Sequence, residues 1–309
     1  MHITVLLDKA VDCLITKKSG IYIDGTFGRG GHSRKILDSI DNNAKLMAID
    51  KDQEAILHAQ NQFKDTRFKI FNSSFADIKD ILRQENLPNN SITGILLDLG
   101  ISSPQIDEAS RGFSFMRNGE LDMRMDTSNG KPLRELIPLL SYEELSDIIF
   151  KYGEEKQSRK IARAIKDYAY PINDTLTLAS IIARIIPKKS AQHPATKTFQ
   201  ALRIYINKEL EDLENILDLI PSLLAPNGKI VIISFHSLED RIVKQKFNAW
   251  ANPNKIDDSM PTHLQILQKT LQVEKPALFN LQGKYKPSQQ EILDNPRARS
   301  AIMRVAVKN

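Results

Sequence analysis

Residues 21–33 read Ile-Tyr-Ile-Asp-Gly-Thr-Phe-Gly-Arg-Gly-Gly-His-Ser, and their reading decides the fold. A short apolar run of β character ends in an acid, Asp24, and passes through a glycine-rich turn. It then enters a segment, His32 to Ile40, whose Ile36, Leu37 and Ile40 fall on one helical side. Strand, glycine turn and helix together form the local arrangement with which parallel α/β sheets hold nucleotide-like cofactors. Without a Cβ, Gly28, Gly30 and Gly31 let the backbone turn tightly, and the amides that open the helix point at whatever binds there. About twenty residues further on, the run Leu46-Met47-Ala48-Ile49 ends in Asp50, a carboxylate spaced to accept hydrogen bonds from both hydroxyls of a ribose. Plain turns use the same glycines; the spaced acid separates the two readings.

Outward from this stretch the chain alternates between the two periods. Thr4 to Thr16 is an amphipathic helix with Val5, Leu6, Ala10, Cys13 and Leu14 on its apolar stripe, placed to cover one face of a sheet. Strands are expected at Gly20–Asp24, Lys45–Asp50, Arg67–Phe71 and Ile92–Leu97, with helices at Gln53–Gln62 and Ile78–Gln84 between them. Repeated β-then-α units predict an α/β fold with a Rossmann-type, doubly wound, mostly parallel sheet. Phe75 follows the end of the third strand, where an aromatic ring can stack on an adenine or simply belong to the core.

The fourth strand runs directly into Asp98-Leu99-Gly100-Ile101-Ser102-Ser103-Pro104-Gln105, across the expected crevice from the glycine turn. After Asp107 the pattern becomes helical, with Ser141 as an N-cap and Glu144 three residues later. Helices follow at 142–150, 158–168, 176–186 and 198–219. Strand character returns after the Pro226-Asn227-Gly228 turn, at Gly228–Phe235, and again at Ser300–Val307. The expected organisation is therefore a first part of the sheet domain at 1–107, an inserted helical domain at 108–214, and the rest of the sheet domain at 215–309. Long insertions at strand carboxyl ends usually carry substrate recognition.

With 309 residues and 41% hydrophobic content the chain can bury two ordinary cores. Its one cysteine, Cys13, excludes an internal disulfide, and the first 18 residues lack the apolar core of a signal peptide, which fits a reducing cytoplasm. No apolar run approaches the length of a membrane span, and no Cys and His cluster has ligand spacing, so neither membrane nor metal is expected. A net charge of +5 says little about partners; its distribution says more. Thr175 to Lys208 contains no acid but holds Arg184, Lys188, Lys189, Lys197, Arg203 and Lys208. Two further acid-free stretches run from Lys275 to Gln290 and from Asn295 onward, the latter with Arg297 and Arg299. Any one cluster is equally a solvated face; three favour a polyanion.

The dinucleotide fingerprint Gly-x-Gly-x-x-Gly fails here at Ser33, whereas Asp24-Gly25-Thr26-Phe27-Gly28-Arg29-Gly30-Gly31 resembles the first motif of S-adenosylmethionine-dependent methyltransferases. Five further strings extend the likeness: Asp98 to Gln105, Gly112-Phe113-Ser114-Phe115, Leu121 to Asp126, His193 to Arg203 and Ser234 to Arg241. With Asn295-Pro296-Arg297-Ala298-Arg299-Ser300 added, the chain is similar along its whole length to the bacterial 16S ribosomal RNA cytosine-N4 methyltransferases. The resemblance implies S-adenosylmethionine as methyl donor and a cytidine of the decoding region of 16S rRNA as acceptor. It also implies an assembled or late-stage small subunit as substrate, a helical insertion that helps bind RNA, and contacts to the cofactor from Gly30, Gly31, His32, Asp50, Phe75, Asp98 and Gln105. A homodimer stays open.

The catalytic candidates are Ser103, Pro104 and Asp98. Asp98 serves either the cofactor's ammonium or the target amine, and Ser103 offers a hydroxyl or carbonyl to an N4 hydrogen. Phosphate contacts are expected from Lys188, Lys189, Lys197, Arg203, Arg297 and Arg299, although Arg297 and Arg299 suit an anchor of the last strand as well. Base stacking is open among Phe113, Phe115 and Phe199, and His236 suits a helix cap better than a base. Other acceptors, DNA among them, and a nucleotide-binding protein without turnover are the competing readings.

Overall fold

The computed structural model describes residues 4–186, 193–255 and 274–309. Two compact units divide the chain. One gathers the residues up to Asp50, Ala55–Leu99 and Asp212–Asn309; the other comprises Lys51–Glu54 and Gly100–Glu211. The divisions fall at Gly100 and Glu211, a few residues before the expected 108 and 214, and the turn after Asp50 groups with the second unit.

The first unit is built on a seven-stranded sheet. Its strands are β1 (Ile21–Asp24), β2 (Lys45–Asp50), β3 (Phe68–Asn72), β4 (Ile92–Asp98), β5 (Leu224–Ser234), β6 (Phe279–Tyr285) and β7 (Ile302–Lys308). Their spatial order is β3-β2-β1-β4-β5-β7-β6, with β1 to β5 parallel and β7 antiparallel to both of its neighbours. The order reverses between β1 and β4, which is the switch point where open α/β sheets bind ligands beyond their carboxyl ends.

The pleat sends alternate residues to opposite faces, and each face has its own core. Ile23, Met47, Ile49, Ile95, Leu97, Ile230 and Ile232 pack on helices α4 (Ile78–Gln84), α11 (Glu209–Leu223) and α12 (Ser237–Ala251). Tyr22, Leu46, Ala48, Leu96, Val231 and Ile233 pack on α1 (Leu7–Leu14), α2 (Gly31–Ser39) and α3 (Gln53–Gln62). Both faces are covered, so the central strands read as unbroken apolar runs. In α1 the fully buried position beside Ala10 and Leu14 is Val11, while Cys13 is half-buried.

The expected turn at Pro226-Asn227-Gly228 lies inside β5 as a bulge. Leu224 pairs with Ile92 and Lys229 with Gly94, so the bulged strand carries several residues opposite Thr93, with Asn227 in the left-handed region at φ 63°. Strand β6 lies within the stretch read from sequence only as a basic cluster. It is an edge strand, exposed along most of its length although its residues alternate apolar and polar.

The second unit is helical: α5 (Ser103–Asp107), α6 (Leu133–Leu139), α7 (Tyr142–Gly153), α8 (Ser158–Lys166), α9 (Thr175–Ile185) and α10 (Thr196–Asn207). Its core takes Leu145 and Ile149 from α7, Ile161 and Ile165 from α8, Leu178 and Ile182 from α9, and Phe199 and Leu202 from α10. The capping box at Ser141 is present, with Ser141 Oγ accepting from the Glu144 N–H at 3.1 Å and Glu144 Oε2 accepting from the Ser141 N–H at 2.7 Å. A last short helix, α13 (Gln289–Asp294), precedes a 3-10 turn at Pro296–Ser300 that delivers the chain into β7. No helix among the described residues is long and apolar enough to cross a membrane.

Candidate functional site

Asp24, Asp50 and Asp98 end β1, β2 and β4. Asp24 is fully buried and is held by Ser33 Oγ at 2.6 Å and by the Thr26 N–H at 3.2 Å. Burial outweighs those bonds and pushes its carboxyl up to about 6. One oxygen of Asp50 accepts the Gly28 N–H at 2.7 Å and ties the glycine loop to β2. Phe75 is half-buried against the core on the α4 side of the sheet, and its Cβ would lie 3.2 Å from a Cβ added at Gly25.

Gly30 caps α2 with φ at 75°, and a Cβ there would meet Phe63 Cζ at 2.4 Å and the Phe27 ring at 2.7 Å. A Cβ at Gly31 would meet Thr4 Oγ1 at 1.9 Å. The space these glycines leave is thus filled by the protein's own side chains, so the expectation that it admits a ligand applies to the loop's amides rather than to the missing Cβ atoms.

Asp98 is the most constrained of the acids. Its N–H donates to Thr26 Oγ1 at 2.6 Å, and its Oδ2 lies 3.6 Å from Nδ1 of the buried His32. Its Oδ1 is sealed from solvent and has no hydrogen-bond partner among the described residues. Burial, then the charges of Asp24 and Glu239, hold this carboxyl well above the ordinary range. Glu239 is buried in the first turn of α12, where its Oε2 accepts the Phe235 N–H at 2.7 Å, and His236 forms the N-cap. His236 is therefore a capping residue, in keeping with the sequence. Thr26 and Glu239 were not among the candidates; the signal for Thr26 is a hydroxyl at a position where the motif more often has glycine.

This cluster ties stability to pH. Because the folded carboxyl of Asp24 is raised, the contribution of its protonated form is fully present below about pH 4 and lost as pH rises through about 6. A shift of about two units is worth about 3 kcal/mol. Asp24→Asn removes the ionisation and is expected to gain up to that amount over the wild type in urea denaturation between pH 4 and pH 8. A gap that does not change with pH overturns the assignment.

The remaining motif residues belong to the second unit. Ser102 caps α5, Ser103 and Pro104 begin it, and all three are half-buried. Gln105 is buried and committed on both sides of its amide: Oε1 accepts the Ser102 N–H at 2.9 Å and Nε2 donates to Asp52 Oδ2 at 2.8 Å. Asp52 also accepts from Arg111 Nη1 at 2.9 Å, and Arg111 Nη2 donates to the carbonyls of Arg124 and Met125 at 3.1 Å. Met123 stands in the left-handed region at φ 63°, clasped by Asn207 Nδ2 at 2.8 Å from its carbonyl. Asp52, Gln105 and Arg111 thus form a buried polar hub, to which Arg124 and Met125 of the string Leu121 to Asp126 lend backbone carbonyls. Phe113 and Phe199 are core residues, while Phe115 is half-buried, 4.7 Å from Phe199 and 4.6 Å from His193 between ring centres.

Among the phosphate candidates, Lys188 and Lys189 lie outside the described residues. Lys197 is exposed and donates to the Glu154 carbonyl at 3.1 Å. Arg203 is 13% exposed and forms a bidentate pair with Glu209 at 2.9 and 2.7 Å. Arg297 and Arg299 are exposed on either side of the buried Ala298 in the 3-10 turn before β7.

The family model described as the MraW methylase family matches residues 1–309. A protein of Methylobacillus flagellatus named ribosomal RNA small subunit methyltransferase H is 48% identical over 309 residues, covering 99% of this chain and 94% of its own. One of the same name from Nitrosomonas eutropha is 47% identical over 315 residues, covering 100% and 97%. A solved rRNA methylase from Streptococcus thermophilus aligns over 100% of this chain and 98% of its own at 11% identity, with a TM-score of 0.40. On the full-length family match and these near-half identities, the chain belongs to the MraW methylase family.

Proposed function

We propose that this protein transfers a methyl group from S-adenosylmethionine to the exocyclic N4 amine of a cytidine in the decoding region of 16S rRNA, acting in the cytoplasm on an assembled or late-stage small subunit. The observation that carries the reading is Asp98: a carboxylate oxygen sealed from water and unpartnered, at the switch point of the sheet, beside two further acids. Such a group calls for a cation, and the methionine ammonium of S-adenosylmethionine is one. Asp50 suits the ribose hydroxyls, Phe75 the adenine, and the amides around Gly30, Gly31 and His32 the carboxylate end. When bound, the cofactor supplies a methyl group on a sulfonium.

The chain's own work is then positional. The N4 lone pair is conjugated with the cytosine ring, so holding the amine in line carries much of the rate, on the order of 7 to 11 kcal/mol at best. Asp98 or Ser103 accepts an N4 hydrogen and makes the nitrogen more nucleophilic, with Pro104 fixing the loop that follows Asp98 in the chain. No strong base is needed, since the amine becomes acidic once alkylated. The test incubates the protein with labelled S-adenosylmethionine and small subunits from cells lacking its gene, followed by mass spectrometry of the digested nucleosides. N4-methylcytidine is the expected product. If neither subunits nor free 16S RNA are modified, the acceptor is DNA or another amine; binding without any methylated product marks a nucleotide-binding protein.

A further inference from the structure

Helix α8, Ser-Arg-Lys-Ile-Ala-Arg-Ala-Ile-Lys, divides sharply. Ser158, Ile161, Ala162 and Ile165 are buried, while Arg159, Lys160 and Arg163 are exposed, together with Lys156 just before the helix. Spacings of three and four residues bring Arg159 and Lys160 each beside Arg163 on one face, with roughly 5 to 6 Å between neighbouring Cβ atoms, and Lys156 precedes them in the turn. Acids flank the helix at Glu154, Glu155 and Asp167, but none lies within it. Among the described residues none of the four takes part in an ion pair or a side-chain hydrogen bond. Lys166 differs: it donates to the carbonyls of Pro138 and Leu140 and so caps α6.

One aromatic ring stands beside this face: Arg163 lies 5.7 Å from the ring centre of the half-buried Tyr142. In the neighbouring α7, Phe150 is 61% exposed. A merely solvated helix face mixes both signs of charge. Protein interfaces are depleted in lysine at their centres. A face of cations of one sign, with a tyrosine ring against one of them, fits a phosphate backbone.

We infer that the exposed face of α8, with Lys156, Arg159, Lys160 and Arg163 at its centre, docks the sugar-phosphate backbone of the rRNA substrate. The inference rests on the proposed rRNA reading, and it replaces Arg203, whose guanidinium is held by Glu209, as the second unit's phosphate-binding surface.

The test exchanges all four cations for glutamine and measures binding to naked 16S RNA across a salt series. Four lost contacts to single-stranded RNA lower the slope of log affinity against log salt by about 3. KM for small subunits is expected to rise at unchanged kcat, with unchanged S-adenosylmethionine affinity and urea midpoint as controls of fold. The paired exchange Arg159→Gln with Lys160→Gln is expected to give about half the change in slope, and exchange of both arginines for lysine almost none. An unaltered slope and KM overturn the inference. So does a raised KM on subunits with unaltered binding to naked RNA, which assigns the face to a ribosomal protein. Because RNA binding is read without turnover, failure of the methylation assay leaves this result separately legible.

Discussion

Asp98→Asn is expected to weaken S-adenosylmethionine binding by some thirtyfold to several thousandfold while making the cofactor-free protein more stable. Asparagine keeps the shape of the side chain and leaves the backbone bond from Asp98 N–H to Thr26 Oγ1 in place. The charge alone is lost. Removing one member of a buried, hydrogen-bonded charge pair costs on the order of 2 to 5 kcal/mol of binding, which gives the range of affinities stated. In the free protein one oxygen of the same carboxylate has no hydrogen-bond partner and the charge is repelled by Asp24 and Glu239, so its removal relieves strain. The two effects have opposite signs, and calorimetric titration of the cofactor beside urea denaturation separates them. A linked pH effect has a fixed direction: protonation of Asp98 competes with a cation, so the wild type loses affinity as pH falls and the variant much less. Unchanged affinity would remove Asp98 from the ammonium site.

Gly30→Ala is expected to cost the fold about 2 to 5 kcal/mol. Two costs add: the left-handed backbone at φ 75° penalises any Cβ by roughly 1 to 2 kcal/mol, and a carbon 2.4 Å from Phe63 Cζ and 2.7 Å from the Phe27 ring overpacks the core by about 1 to 3 more. Against a total stability of roughly 5 to 15 kcal/mol that is a large fraction. Gly130→Ala isolates the first cost, because φ there is 71° and nothing lies within 4 Å of the added carbon. Urea midpoints of the two variants should differ by the packing cost, and Phe63→Leu added to Gly30→Ala should recover part of it. Equal losses at both positions would show that contact with Phe27 and Phe63 carries no weight.

The parts of this fold that were legible in sequence are those where one period dominates. Strands β2 and β4 were bounded to within a residue because both their faces are buried, and the cap at Ser141 because its partner Glu144 sits in the same turn. The acids at the strand ends are legible because each closes an apolar run, Asp24 after Ile21–Ile23, Asp50 after Leu46–Ile49 and Asp98 after Ile92–Leu97. What stayed hidden depends on partners distant in sequence or beyond a break. Arg203 was counted in an acid-free stretch that stops at Lys208, one residue short of its partner Glu209; the left-handed Lys208 turns the chain so that the two meet across the helix break. The hub of Asp52, Gln105 and Arg111 spans 59 residues, and no local pattern announces it. Edge strand β6 alternates Phe279, Leu281 and Tyr285 with Asn280, Gln282 and Lys284, a period-two signal that the basic residues around it overshadow.

The position of β7 between β5 and β6 also bears on how the chain acquires its shape during synthesis. β6 has β7 as its only strand neighbour among the described residues, yet its residues are made first. Until residues 302–308 have left the ribosome, the outer edge of β5 is an open row of backbone donors and acceptors, and β6 has no place in the sheet. A nascent chain stalled before that point therefore presents an apolar, unpaired border to its neighbours, and closure of the sheet waits for the last strand to be inserted from the side.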